Sequence, residues 1–291
     1  MKSKQCIAVE ALLRRAKPLR THEDFQRELA KKRKQNSKKY RLPKSVQLIL
    51  RPQKTSVAKT TCYKLGSGKI CVMYLHGGSY VDPPLIFHWR FLQQLTRETP
   101  VSVVLPLYGR APQHRCSRTV LHMERVYLKL VEEHGAENVV LMGDSAGGGL
   151  ALALCEYLAN KGKPQPKKLI LLSPWLDADM TGDYSSQTES DVVLNLDELR
   201  FWGETYRRQL PKGHYFASPL FGLTNKLTET HVFAGGAELF LPDCEKLKLQ
   251  ADEMGLDLKL YKYDDMQHVF LMYPIPEAKA ARKQLEEILM R

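Results

Sequence analysis

Residues 139 to 149 read Val-Val-Leu-Met-Gly-Asp-Ser-Ala-Gly-Gly-Gly, an apolar run that passes without a spacer through Gly143-x-Ser145-x-Gly147 into a helix of small residues. Few folds accept that junction. A strand that turns at once into a helix needs glycine on both sides of the turn, because the two backbones approach through the space a Cβ would fill. The same turn lifts the Ser145 hydroxyl clear of the strand, within reach of a base and of an acyl carbon. A five-residue pattern alone also arises by chance as a glycine-rich turn with an idle serine. The strand-then-helix setting is what points to a nucleophile.

The chain around this junction alternates between two periodicities. Two antiparallel strands are predicted near 46–51 and 58–64, then parallel strands at 70–75, 101–105, 138–142, 168–172, 230–234 and 258–263. Helical patterns fall at about 88–98, 117–134, 146–161, 195–209, 243–254 and 276–290. This predicts an α/β fold with a mostly parallel central sheet and helices on both faces. With 291 residues, 43% of them apolar, one large domain over 46–291 has enough core to stand alone. Residues 1–45 and the insertion at about 176–218 do not belong to the alternation, and together they are expected to form a helical cap. Ligands in such sheets bind beyond the carboxyl ends of the strands, so the loops after the strands are where chemistry is sought.

The net charge of +12 is an N-terminal property: the first 45 residues hold 15 of the 44 basic and 4 of the 32 acidic side chains. Thr21-His-Glu-Asp24 reads as a capping box, with acidic residues in the first turn and Lys31-Lys-Arg-Lys34 near the end, the order a helix dipole favours. A solvated helical face is therefore expected. Aromatic residues are not interleaved with these charges, which argues against nucleic acid, while peripheral contact with an anionic membrane stays open. The six cysteines, at 6, 62, 71, 116, 155 and 244, show neither zinc nor redox spacing, so reduced thiols and no metal are expected. No apolar run approaches the ~20 residues of a membrane span, and charges interrupt the place of a secretory leader. A soluble, cytoplasmic protein is expected.

A serine hydroxyl is barely ionised near neutrality and needs a base within hydrogen-bond reach. His268 fits best of the nine histidines, since it follows the strand 258–263 in Asp264-Asp-Met-Gln-His268 and precedes the last helix. His88 could line a pocket. The orienting acid is expected on the loop after strand 230–234. There Glu238 sits near the strand end, whereas Asp243 falls at the start of the next helix, where a carboxylate serves as an N-cap. Glu238 is the preferred acid and Asp243 the alternative. Val72-Met-Tyr-Leu75 runs into His76-Gly77-Gly78-Ser79-Tyr80, whose unshielded Gly77 and Gly78 N–H groups could join that of Ala146 in an oxyanion hole.

The His-Gly-Gly segment, Gly143-Asp-Ser-Ala-Gly-Gly148, the His268 loop and Ser173-Pro-Trp175-Leu-Asp177 together resemble the hormone-sensitive-lipase family of α/β-hydrolases over about residues 46–291. The resemblance implies a Ser145–His268–acid triad, an oxyanion hole from Gly77, Gly78 and Ala146, a cap, and carboxylesterase activity without a cofactor. The chain departs from the family pattern at three places. Ser79 replaces the usual third glycine, Glu238-Leu-Phe replaces Asp-Pro-Leu and resembles a glutamate-using branch, and Leu107-Tyr108-Gly-Arg110 replaces Asp-Tyr-Arg.

Tyr80, Trp175 and Phe270 are candidates to line the substrate pocket, and aromatic crowding suits a small acyl group such as acetate on a hydrophobic alcohol. Leu199, Trp202 and Tyr206 recur at helical spacing and suit packing of the cap. The expected activity is hydrolysis of short-chain carboxylic esters through an acyl-enzyme. The alternatives are a serine amidase or peptidase, or a non-catalytic receptor on the same fold. The small-molecule ester is the one partner read from the sequence, and oligomeric state is not legible there.

Overall fold

The computed structural model describes residues 2–16 and 21–291; residues 1 and 17–20 of the basic N-terminal segment lie outside the described residues. Among the described residues, one sheet runs in the order β1-β2-β4-β3-β5-β6-β7-β8. Its strands are β1 (Gln53–Val57), β2 (Thr60–Gly66), β3 (Ile70–Leu75), β4 (Val101–Pro106), β5 (Val139–Asp144), β6 (Lys168–Leu172), β7 (Thr230–Gly235) and β8 (Leu258–Tyr263). β2 is antiparallel to both β1 and β4, and every other pairing is parallel.

The sheet is buried on both faces because its central strands are apolar at successive positions, and the two-residue period deals them to opposite layers. Cys71, Met73 and Leu75 of β3, Val139 and Leu141 of β5, and Leu169 and Leu171 of β6 enter one core. Val72, Tyr74, Val140, Met142, Ile170 and Leu172 enter the other. The first layer is covered by α5 (Cys116–His134), α6 (Ala146–Asn160) and α9 (Leu241–Glu253), and the second by α4 (Ile86–Glu98) and α10 (Pro276–Met290). α6 lies so close that a Cβ on Gly147 would sit 2.0 Å from the Leu75 carbonyl oxygen.

The segment 46–51 is not a strand. Pro43 opens the short helix α3 (Lys44–Ile49), in which Val46 is buried while Leu48 and Ile49 are exposed. The hairpin lies further on, pairing 53–57 with 60–64 through Ala58 and Lys59, both at positive φ. Neither residue is the glycine or asparagine that usually announces such a turn, so the β-branched run upstream gave the wrong position.

The remaining helices are α1 (Lys4–Ala16), α2 (His22–Asn36), α7 (Ser185–Thr188) and α8 (Leu196–Arg207). The Thr21–Asp24 capping box is present at α2, and the Asn195 side chain accepts the Glu198 N–H at α8. α2 and α8 meet where Phe25 stacks on Phe201, with ring centroids 5.5 Å apart. All six cysteines are free and buried. No helix among the described residues is long and apolar enough to cross a membrane.

Candidate active site

Three strand ends converge on Ser145. It follows β5 with φ 51° and ψ −124°, a backbone conformation that L-residues rarely adopt and that neighbouring hydrogen bonds must hold. Its N–H donates to the Leu172 carbonyl at 2.9 Å, and its own carbonyl accepts the Trp175 N–H at 2.9 Å, so the end of β6 clamps the turn from both sides. His268 Nε2 lies 2.9 Å from Ser145 Oγ, and His268 Nδ1 lies 2.6 Å from Glu238 Oε2. Glu238 is fully buried, and its other oxygen accepts the Gly235 N–H at 2.7 Å.

The histidine is fixed by the loop that carries it. Val269, at φ 51°, donates its N–H to Ser173 Oγ, and Tyr273 donates its hydroxyl to the His268 carbonyl at 2.8 Å. Phe240 meets the imidazole edge to face at 5.0 Å. Asp243 points elsewhere: both carboxylate oxygens accept from the Tyr184 hydroxyl, at 3.0 and 3.2 Å. It also occupies the third position of α9 instead of its N-cap, which is Phe240. Burial, together with the charge of Asp177, raises the Asp243 carboxyl to about 7.

The loop after β3 departs from expectation at Gly77. Its N–H donates to Asp144 Oδ1 at 2.9 Å and is not free for an oxyanion. The cause is register: Leu75 of β3 pairs with Gly143 of β5, which brings the next residues, His76-Gly77 and Asp144, side by side. Asp144 Oδ1 also accepts the Tyr74 hydroxyl at 2.6 Å, and Oδ2 faces His88 Nε2 at 3.2 Å. His88 Nδ1 accepts the Leu85 N–H, so its proton sits on Nε2 and is donated to the carboxylate. Burial by itself would raise the Asp144 carboxyl, but the His88 ring and these donors outweigh it and hold the group below its ordinary value. His88 is therefore a fully buried partner of Asp144 and lines no open pocket.

Gly78, Ser79 and Tyr80 follow at successive positive φ, and the Gly78 carbonyl accepts from Val81 and Asp82. The N–H groups of Gly78, Ser79 and Ala146 donate to no acceptor among the described residues. Burial, with His88 beside it, pushes His76 down to about 3 and keeps the ring neutral; it stacks on Tyr108 at 4.3 Å, and Tyr108 donates to the His76 carbonyl at 2.6 Å.

Of the candidate pocket residues, Tyr80 and Trp175 belong to one aromatic stack. Tyr80 lies 3.6 Å from Tyr206 and 5.4 Å from Trp175, which lies 5.8 Å from Phe240. Phe270 is in the opposite core, packed on Tyr263 at 4.9 Å. The sequence reading missed Asp144, Tyr74 and the Ser79 N–H, and placed His88 at a pocket wall instead of against Asp144. Asp144 was in plain view between Gly143 and Ser145, but a carboxylate beside a nucleophile carries no signal of what it binds. Among the described residues, no group of three or more His, Cys, Asp or Glu side chains is placed to hold a metal ion.

A nucleophile-bearing strand–turn–helix at the centre of a mostly parallel sheet, with a histidine and an acid on later loops, defines the class of α/β hydrolases. A family model described as alpha/beta hydrolase fold matches residues 72–272, and the chain belongs to that family. An acetyl-hydrolase of Streptomyces hygroscopicus is 30% identical over 215 residues, 72% of each chain. An esterase of Acinetobacter venetianus is 28% identical over 221 residues, 74% of this chain and 73% of that one. A triacylglycerol lipase of Mycobacterium tuberculosis is 33% identical over 168 residues, 57% of this chain but only 34% of its own length, so the chain spans about a third of that relative. Among solved structures, an esterase from the bacterial hormone-sensitive lipase family superposes with a TM-score of 0.84 at 26% identity, covering 99% of this chain and 98% of that one. The resemblance to the hormone-sensitive-lipase family is thereby borne out.

Proposed function

We propose that this chain is a serine carboxylesterase in which Ser145, His268 and Glu238 form the catalytic relay. The observation that carries the reading is the unbroken chain of contacts from Glu238 Oε2 to His268 Nδ1 at 2.6 Å and from His268 Nε2 to Ser145 Oγ at 2.9 Å. Ser145 Oγ attacks the ester carbonyl while Nε2 takes its proton, and Glu238 stabilises the imidazolium that forms. The tetrahedral oxyanion is held by the N–H groups of Gly78, Ser79 and Ala146. Collapse returns the proton to the leaving alcohol and leaves the acyl group on Ser145. Water, deprotonated at Nε2, then releases the acid and restores the serine.

Short acyl groups suit the site, because the Tyr206–Tyr80–Trp175–Phe240 stack fills the space next to the serine turn with buried rings. The acetyl-hydrolase among the relatives points the same way. Residues 21–45 and the 176–218 insertion act as the cap. Phe25 meets Phe201, Asn36 donates to the Val81 and Ala111 carbonyls, and Tyr40 donates to the Pro84 carbonyl. The test is hydrolysis of p-nitrophenyl esters from acetate to dodecanoate by the protein and by Ser145→Ala. Turnover greatest on the shortest esters and abolished in the variant is expected; equal turnover by the folded variant overturns the assignment.

A further inference from the structure

Arg110 lines a cavity of about 370 Å³ together with Lys39, Lys54, Lys59, His114 and His122, and no carboxylate is among the lining residues. The cavity is of the size that takes small ligands. Its walls come from unconnected parts of the chain: the segment after α2, the β1–β2 hairpin, the start of α5 and the loop after β4.

Four side chains that carry permanent charge thus converge without a counter-ion. Arg110 is half-buried and makes no hydrogen bond or ion pair among the described residues, although burial works against its charged form. Asp82, the carboxylate that acts on it electrostatically, is taken by Lys32 at 2.5 Å. Burial lowers His114 and His122, and nearby arginines lower them further, as a strongly positive interior requires. Thr61 and Tyr63 add hydroxyl donors to the same wall. Lys54 and Lys59 stand exposed on the hairpin at the rim, where they can swing onto a ligand.

We propose that this cavity is a binding site for a terminal phosphate group, carried by a small metabolite or by a lipid headgroup. A phosphate offers three acceptor oxygens and up to two negative charges, which matches a planar Arg110 donor fork below and two mobile ammonium groups above. A carboxylate would leave most of those donors unused. The site is separate from the Ser145 chemistry, though Tyr108 and His76 belong both to its wall and to the support of the oxyanion loop.

The test is calorimetric titration of the full chain with pyrophosphate, beside sedimentation with phosphatidylcholine vesicles carrying either phosphatidate or phosphatidylserine. Saturable pyrophosphate binding, or retention on phosphatidate vesicles in preference to phosphatidylserine, is expected and tells the free source from the lipid one. Arg110→Gln and the surface double variant Lys54→Gln with Lys59→Gln each weaken it by about tenfold or more. The double variant keeps the wild-type rate of ester hydrolysis without added anion, so a loss of binding there is not a loss of fold. Absence of saturable pyrophosphate binding together with equal retention on both vesicle types, or binding unchanged in both variants, overturns the proposal.

Discussion

The Asp144 carboxylate accepts the Gly77 N–H at 2.9 Å, so the residue directly before the nucleophile holds the loop that carries the free N–H groups. Two turns at the ends of adjacent strands are locked to each other, and the position of Gly78 and Ser79 relative to Ser145 follows from that lock.

Replacing Asp144 by Asn tests this coupling. Asparagine keeps one acceptor for Gly77 and Tyr74, but its amide N–H₂ then faces the His88 Nε2–H, donor against donor. The expected result on p-nitrophenyl acetate is a fall in kcat of roughly 10- to 100-fold with little change in KM, the signature of interactions made mainly in the transition state. A raised KM at unchanged kcat would contradict the account.

The two acids after β7 separate cleanly. Glu238→Gln removes the charge that steadies the imidazolium and is expected to lower kcat by about 10³- to 10⁴-fold, by analogy with triads elsewhere. Asp243→Asn leaves the His268 contacts untouched and is expected to stay within a few-fold of the parent protein at pH 7. The reverse ranking would move the acid to Asp243.

The outline of the sheet could be read from the sequence wherever burial on two faces forced a continuous apolar run, as at 70–75 and 168–172, where expected and observed limits coincide. The β1–β2 hairpin escaped because Ala58 and Lys59 carry no turn signal, and α3 because Val46, Leu48 and Ile49 suit a strand as well as one helical turn. At the site, Ser145, His268 and Glu238 were legible because each occupies a loop just beyond a strand end. The fate of the Gly77 N–H was not. It depends on which residue of β3 faces which residue of β5, and pairing register leaves no mark in a single sequence.

Burial of unpartnered acid predicts how stability changes with pH. Both carboxylate oxygens of Glu156 are buried without a hydrogen-bond partner, and burial raises the group well above its ordinary value. In the folded chain it stays protonated, while the unfolded chain ionises from about pH 4.3 upward, so stability is lost as pH rises. Glu156→Gln removes the penalty, and its advantage over the parent is expected to widen by up to about 1.4 kcal/mol per pH unit above that point. Asp243→Asn should show the same sign, but its advantage levels off near the folded value of about 7. Urea unfolding at pH 4, 5.5, 7 and 8 measures both; parallel curves for variant and parent at all four would refute the burial argument.

The contact between the N-terminal segment and the oxyanion loop makes the final prediction. Asn36 Nδ2 donates to the Val81 carbonyl at 2.9 Å and to the Ala111 carbonyl at 2.8 Å, tying the end of α2 to the loop just beyond Gly78 and Ser79. Asn36→Ala leaves both carbonyls unpaired and is expected to cost about 1–3 kcal/mol of stability, with a loss of kcat as the loop loosens. Lys34→Ala, an exposed change on the same helix, is expected to alter neither. Removal of residues 1–45 extends the test, since it also takes away Phe25 from Phe201 and Lys32 from Asp82. Ester turnover by the shortened chain should collapse even where circular dichroism shows the sheet intact. Full turnover combined with loss of binding to anionic vesicles would instead make the basic segment a membrane anchor, with no part in shaping the site.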